Sequence, residues 1–172
     1  MANKTAVGPG AAAITPLLRA FYLLVAVGVF LLDRLAKLII ESALMLHDTR
    51  TVIPGFFQIV HAKNQGIAFG LFADAPSSTR TFVLVFLSGL ALAGVAALWW
   101  ASNPVSGRAS TALSLILGGA LGNLFDRVRY GSVVDFLDFY VGPYHWPAFN
   151  LADSAIVIGG GLLLWWMARD GK

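Results

Sequence analysis

The chain has 172 residues, of which 58% are apolar and 12% charged, with a formal charge of +3 and a mean hydropathy of +0.75. Soluble globular domains are usually about 45–50% apolar and about 25% charged, and 12 basic plus 9 acidic residues cannot clothe a water-facing surface of this size, so a soluble globule is excluded and lipid must cover much of the chain. The basic residues are scattered, which excludes a nucleic-acid surface, and the absence of cysteine excludes disulfides, thiolate metal sites and a cysteine nucleophile.

In chain order, the opening MANKTAVGPGAAAITP is small and polar and reads as a disordered tail, residues 1–16. A first membrane span follows over about 17–40, apolar from Ala20 to Leu32 and then carrying Asp33, Arg34 and Lys37. Lys4, Arg19 and the apolar run behind them mimic a signal peptide, but charges stand where a cleavage site would be, so an uncleaved helix is expected. Residues 41–80 form a longer polar connection, with strand-like content in Arg50 to Ile53 and Phe56 to His61 around the turn pair Pro54-Gly55. A second span over about 81–101 carries no charge and ends in Trp99 and Trp100, residues suited to a headgroup-level belt. After the short loop Ser102 to Arg108 comes a third span, about 109–125, then a second long connection, 126–150, and a fourth span over about 151–168.

The expected fold is therefore an all-α integral membrane protein: four transmembrane helices in one domain, residues 17–172, with a small β-sheet and surface loops. Four spans put both termini on one side and both long loops on the other. The basic residues divide almost evenly between the two faces, so charge does not set the orientation.

Ionisable groups at membrane depth are expensive and are functional candidates by default. They gather at the ends of spans one, three and four that face the long loops. Asp33 and Lys37 are four residues apart on one helical face, suited to an ion pair. Asn123 and Arg127 share that spacing in span three, where Arg127 can also reach the interface as an anchor. Gly118 and Gly122 allow close helix packing, with the run Gly159-Gly160-Gly161 as a possible partner surface. Asp135 lies among Val133, Val134, Phe136 and Leu137, and Asp153 follows Asn150-Leu151-Ala152 at the entrance to span four. Two carboxyls brought together at an apolar boundary cannot both ionise, so one acts as acid and the other as base in the hydrolysis of an amide. Physical reasoning alone does not choose the pair: Asp138 matches Asp135 in its surroundings, and Asp153 or Asn150 can simply cap a helix. His47, His61 and His145 have no metal-ligand spacing, and no nucleophile elbow exposes a serine, so neither a metal nor any other cofactor is expected.

Taken together, GGALGNLFDR (118–127), VVDF (133–136) and PAFNLADSAI (147–156), in that order, resemble the bacterial lipoprotein signal peptidase, signal peptidase II. Two further blocks agree: DRLAK (33–37) stands where that family usually has D-Q-x-x-K, and NQGIAF (64–69) stands beside its N-x-G-A-A-F. The resemblance implies an inner-membrane aspartyl endopeptidase that removes the signal peptide from diacylglyceryl-modified prolipoproteins, cutting on the N-terminal side of the lipidated cysteine. It implies Asp135 and Asp153 as the catalytic pair. Asn64, Gly66, Asn123, Arg127 and Asn150 would orient that pair or hold substrate, while Asp33, Lys37 and Asp126 are structural polar groups, the first two tying the surface sheet to the helices. The tail is then cytoplasmic and the active site extracytoplasmic. The implied partners are the lipid-modified substrate and membrane lipid, with no nucleic acid, and the chain is a monomer. Arg34 and Ile67 depart from the family pattern, and Arg34 needs a partner or a route to the interface. The competing readings are a proton-coupled transporter, which would need acids near mid-bilayer, and a scaffold indifferent to loss of either Asp.

Overall fold

Pro16 opens the first helix, α1 (Pro16–Ala43), at the position where a missing N–H costs nothing, and Thr15 Oγ1 accepts the Leu18 N–H at 3.3 Å. This is a computed structural model; it describes residues 15–66, 76–101 and 107–170. The remaining helices are α2 (Ser77–Ala101), α3 (Gly107–Tyr130) and α4 (Leu151–Asp170). α1 buries Tyr22, Ala26, Asp33, Arg34 and Lys37 and leaves Leu24, Leu31, Leu35 and Ile39 exposed. A long helix that exposes leucine on one side and buries acids and bases on the other has inverted the pattern of a water-soluble helix.

α3 is the hub, packed against the other three helices. Its small residues make this possible. A Cβ on Gly118 would strike the Ala26 carbonyl of α1, one on Gly119 the Ala152 carbonyl of α4, and one on Gly159 of α4 would lie 2.7 Å from the Ala112 carbonyl of α3. Close packing through glycine thus holds, but Gly118 meets α1 rather than the glycine run of α4, where Gly160 and Gly161 face open space. α2 and α4 are long and apolar enough to cross a membrane, over Ser78–Trp99 and Leu151–Arg169. Among the helices, α1 and α3 bear the buried ionisable groups.

The sheet is antiparallel, in the order β1 (Thr49–Ile53), β2 (Phe57–Asn64), β3 (Val133–Val141), β4 (Tyr144–His145). The β1–β2 hairpin forms around Pro54-Gly55, with Gly55 at φ +77°. β2 runs on to Asn64, past the strand expected from sequence. Half of the sheet comes from 126–150, where the sequence predicts only a connection, and α3 also continues past Phe125 to Tyr130. The reason is physical. The first four residues of β3 are buried on both faces, so no alternation of polar and apolar residues marks the strand, and Asp135 and Asp138 interrupt its apolar run.

β2 and β3 pair Phe57 with Phe139, Gln58 with Asp138 and Ile59 with Leu137; the register then shifts, so that Ala62 faces Asp135 and Asn64 faces Val133. The shift is a bulge that places one extra residue in β2. Most of the tail, Ile67 and residues 102–106 of the short loop lie outside the described residues.

Candidate active site

Asp135 projects from the middle of β3 and is 3% exposed. Because side chains alternate along a strand, Asn64, two residues beyond Asp135's cross-strand partner Ala62, points to the same face. Its Nδ2 donates to Asp135 Oδ2 at 2.9 Å. The amide cannot turn round, because its Oδ1 accepts the Gly66 N–H at 2.7 Å, in a turn where Gly66 takes φ +78°. This conformation accounts for a glycine at 66.

Asp153 stands in the first turn of α4 and Asn150 just before it. Asn150 Oδ1 accepts the Asp153 N–H at 2.9 Å, and Asp153 Oδ2 accepts the Asn150 N–H at 3.3 Å, a reciprocal cap. The capping role is therefore present. It leaves Asp153 Oδ1 to accept Asn123 Nδ2 at 2.7 Å and Asn150 Nδ2 to donate to Asp135 Oδ1 at 2.7 Å. Asn150 is fully buried and touches both acids. Asn123 Oδ1 accepts from Asn150 Nδ2 at 3.3 Å and from Lys37 Nζ at 3.2 Å, which turns its Nδ2 toward Asp153. Three asparagines, from β2, α3 and the start of α4, thus present N–H groups to two carboxylates.

Beneath them lies a layer of charge. Lys37 Nζ donates to Asp33 Oδ2 at 2.7 Å, Asp126 Oδ2 at 2.6 Å and Asn123 Oδ1 at 3.2 Å, which uses all three of its hydrogens. The other oxygen of Asp126 takes Arg34, and the other oxygen of Asp33 accepts the Ala152 N–H at 3.0 Å, satisfying another free donor at the start of α4. Gly122 leaves room for Asp33, whose Oδ2 would lie 2.7 Å from a Cβ there. The i,i+4 pair Asp33–Lys37 is formed, but it ties helices to one another rather than to the sheet. Arg34 has found its partner inside the protein.

Asp138 goes elsewhere. It is three residues from Asp135, an odd number, so it points to the opposite face of β3, where Gln58 Nε2 donates at 2.6 Å and His145 Nδ1 lies at 2.9 Å. Sequence reasoning missed Gln58 and His145, and the odd spacing of the two acids was the signal that separates them once β3 is known to be a strand. Arg127 Nη1 donates to the Asn123 carbonyl at 3.4 Å, and among the described residues its buried Nε has no hydrogen-bond partner. It borders an open cleft of about 640 Å³ shared with Gln65, Arg80, Thr81 and Tyr130.

Burial pushes the Asp135 carboxyl up to about 6, with the nearby Asp153 charge acting in the same direction and the hydrogen bonds from Asn64 and Asn150 and the charge of Lys37 opposing. A carboxyl so poised can hold or release a proton near neutrality beside a second carboxylate, the requirement for acid–base hydrolysis of an amide.

The signal peptidase II family model matches residues 25–169. The lipoprotein signal peptidase of Solibacter usitatus is 51% identical over 140 residues, covering 81% of this chain and 85% of that protein. That of Syntrophotalea carbinolica is 44% identical over 149 residues, covering 87% and 91%. A solved bacterial membrane enzyme superposes with a TM-score of 0.75 at 32% identity, covering 88% of this chain and 94% of its own. A second solved bacterial membrane enzyme gives 0.74, also at 32%, over 89% and 90%. With the match running from the first helix to the last, the chain belongs to the signal peptidase II family.

Proposed function

We propose that the protein is an intramembrane aspartyl endopeptidase that cleaves the signal peptide from diacylglyceryl-modified prolipoproteins, with Asp135 and Asp153 as its catalytic pair. Membership of the family supports the removal of lipoprotein signal peptides. The observation that most supports the aspartyl mechanism is Asn150, whose backbone and side chain reach both acids, while among the described residues the donors to the carboxylates are neutral amides from Asn64, Asn123 and Asn150.

With its burial-raised carboxyl, Asp135 starts as the acid and Asp153 as the base. Asp153 takes a proton from water, the hydroxide oxygen bonds to the scissile carbonyl carbon, and Asp135 delivers its proton to the carbonyl oxygen, leaving a neutral gem-diol. In the second step the carboxylate of Asp135 recovers a proton from the gem-diol as the C–N bond breaks, and Asp153 gives its proton to the leaving amine of the lipidated cysteine. Arg127, at the edge of the cleft with a buried Nε that has no partner among the described residues, holds a substrate carbonyl, and Gly66, whose missing Cβ leaves room for Leu84, keeps the turn that orients Asn64.

Four spans, about 17–40, 81–101, 109–125 and 151–168, would cross the bacterial inner membrane as a single monomeric domain, with the sheet and the acids on the extracytoplasmic side. The exposed apolar sides of α1 and α2 favour this reading. As the chain has no native cysteine, single cysteine probes replacing Lys4 or Lys172 report orientation cleanly, and labelling of either from outside intact cells would overturn it. Lipid does the anchoring: two acyl chains contribute about 0.8 kcal/mol per buried CH₂ and hold the cysteine at headgroup depth. The decisive experiment is a gel-shift assay with purified protein and one precursor, with and without its diacylglyceryl group. Cleavage confined to the modified form is expected. Equal rates on both forms would refute the lipid requirement, and cleavage of neither by folded protein would favour a transporter or scaffold.

A further inference from the structure

Arg34 stands where a glutamine is usual in the pattern this chain resembles, and it is 9% exposed. Its guanidinium takes one oxygen of Asp126 and stands 5.2 Å from the ring centroid of Phe125 and 5.3 Å from that of Tyr130. The other oxygen of Asp126 belongs to Lys37, which also holds Asp33. The layer contains two acids and two bases, so it is neutral as a unit. With glutamine at 34 it would hold one net negative charge, directly under Asn123, the amide that links this layer to Asp153.

We propose that Arg34 is a positioning residue: it completes a charge-neutral layer with Asp33, Lys37 and Asp126 and so sets the field in which Asp135 and Asp153 share their proton. The inference rests on the aspartyl reading above. The groups that act on the pair directly are Lys37 on α1, Asn123 and Arg127 on α3, Asn150 before α4 and Asn64 on β2; Asp33, Asp126 and Arg34 stand behind them, joined through Lys37. A clamp between α1 and α3 would need the ion pair and the ring contacts but would be indifferent to net charge. A field-setting role depends on the charge count.

The test is therefore arithmetic. kcat/KM on the diacylglyceryl-modified precursor is measured against pH for the parent, Arg34→Gln, Asp126→Asn and the double variant. Arg34→Gln leaves the layer with one negative charge, which favours the protonated pair, and should move the alkaline midpoint up by about half to one pH unit. Asp126→Asn leaves one positive charge and should move it down by a similar amount. The double variant is neutral again and should return to the parent's midpoint. Midpoints that stay put in both single variants, or move in the same direction, overturn the proposal.

If thermal unfolding shows that a variant has not folded, Arg34→Lys decides: it keeps the charge, so its midpoint should match the parent's, and a displacement of about half a unit or more overturns the proposal. Cleavage that survives Asp135→Asn sinks the aspartyl reading, whereas cleavage abolished by Asp135→Asn with an unmoved midpoint in Arg34→Gln sinks the role of Arg34 alone.

Discussion

Two sets of buried carboxylates lie side by side in this protein, and they differ in what holds them. Asp33 and Asp126 are held by cations: Lys37 gives a hydrogen to each, and Arg34 takes the remaining oxygen of Asp126. Asp135 and Asp153 are held by amides, from Asn64, Asn123 and Asn150 and from the backbone at the start of α4. A carboxylate paired with a cation out of water is bound to its partner, because removing either one leaves an uncompensated buried charge. A carboxylate held by amide N–H groups is fixed in place with no counter-ion to lose, and it can exchange a proton. Geometry is equally tight in both layers, and it is the charge of the donors that separates scaffold from chemistry.

The contrast breaks most visibly in the upper layer. Asp135→Asn and Asp153→Asn should each lower cleavage of the lipid-modified precursor by at least about a thousandfold while leaving thermal unfolding close to the parent's. A variant of either that still cleaves at a tenth of the parental rate would contradict the assignment. In the lower layer the expected loss is of fold rather than of rate. Lys37→Met leaves Asp33 and Asp126 buried with Arg34 alone and should cost about 3–5 kcal/mol, read as a large fall in Tm in detergent. A Tm within a degree or two of the parent's would show that the cation is dispensable.

Proton exchange in the upper layer should also appear as a pH dependence of stability. Asp135 binds its proton more tightly in the folded protein than in the unfolded chain, so its contribution is complete below the ordinary carboxylate value near 3.8 and is lost as pH rises through about 6, a change of about 3 kcal/mol. Tm should fall across that window in the parent and much less in Asp135→Asn, and kcat/KM should decline above about pH 6 as the shared proton leaves. A flat Tm from pH 5 to pH 7 would count against the raised carboxyl. The smallest effect is expected at Asp138, on the far face of β3. Asp138→Asn should cost about 1 kcal/mol and keep more than half of the activity, and an inactive but folded Asp138→Asn would show that the wrong acid had been chosen.

Much of this was legible in the sequence because charges are costly in lipid: dividing the chain at its charges located all four helices to within a few residues, and the motif blocks singled out the acids and asparagines that the fold brings together. The charge layer was less legible. Asp33 and Lys37 announce their pairing by spacing, but nothing local in the sequence links Arg34 and Lys37 to Asp126, 92 and 89 residues away on a helix that must cross α1 at the right height. Likewise β3 carries no alternating pattern, so the difference between Asp135 and Asp138 is invisible until strand phase is known.

The bulge in β2 settles which of two neighbourhoods Asp135 inhabits. Had the register set by Phe57, Gln58 and Ile59 continued unbroken, His61 would face Asp135 and Lys63 would lie diagonally beside it. With one residue more in β2, those positions belong to Ala62 and Asn64. The bulge is therefore chemical as well as geometric in its effect: the same strand paired without it would set an imidazole and an ammonium beside Asp135 in place of an amide, making an acid that can trade protons into half of a salt bridge.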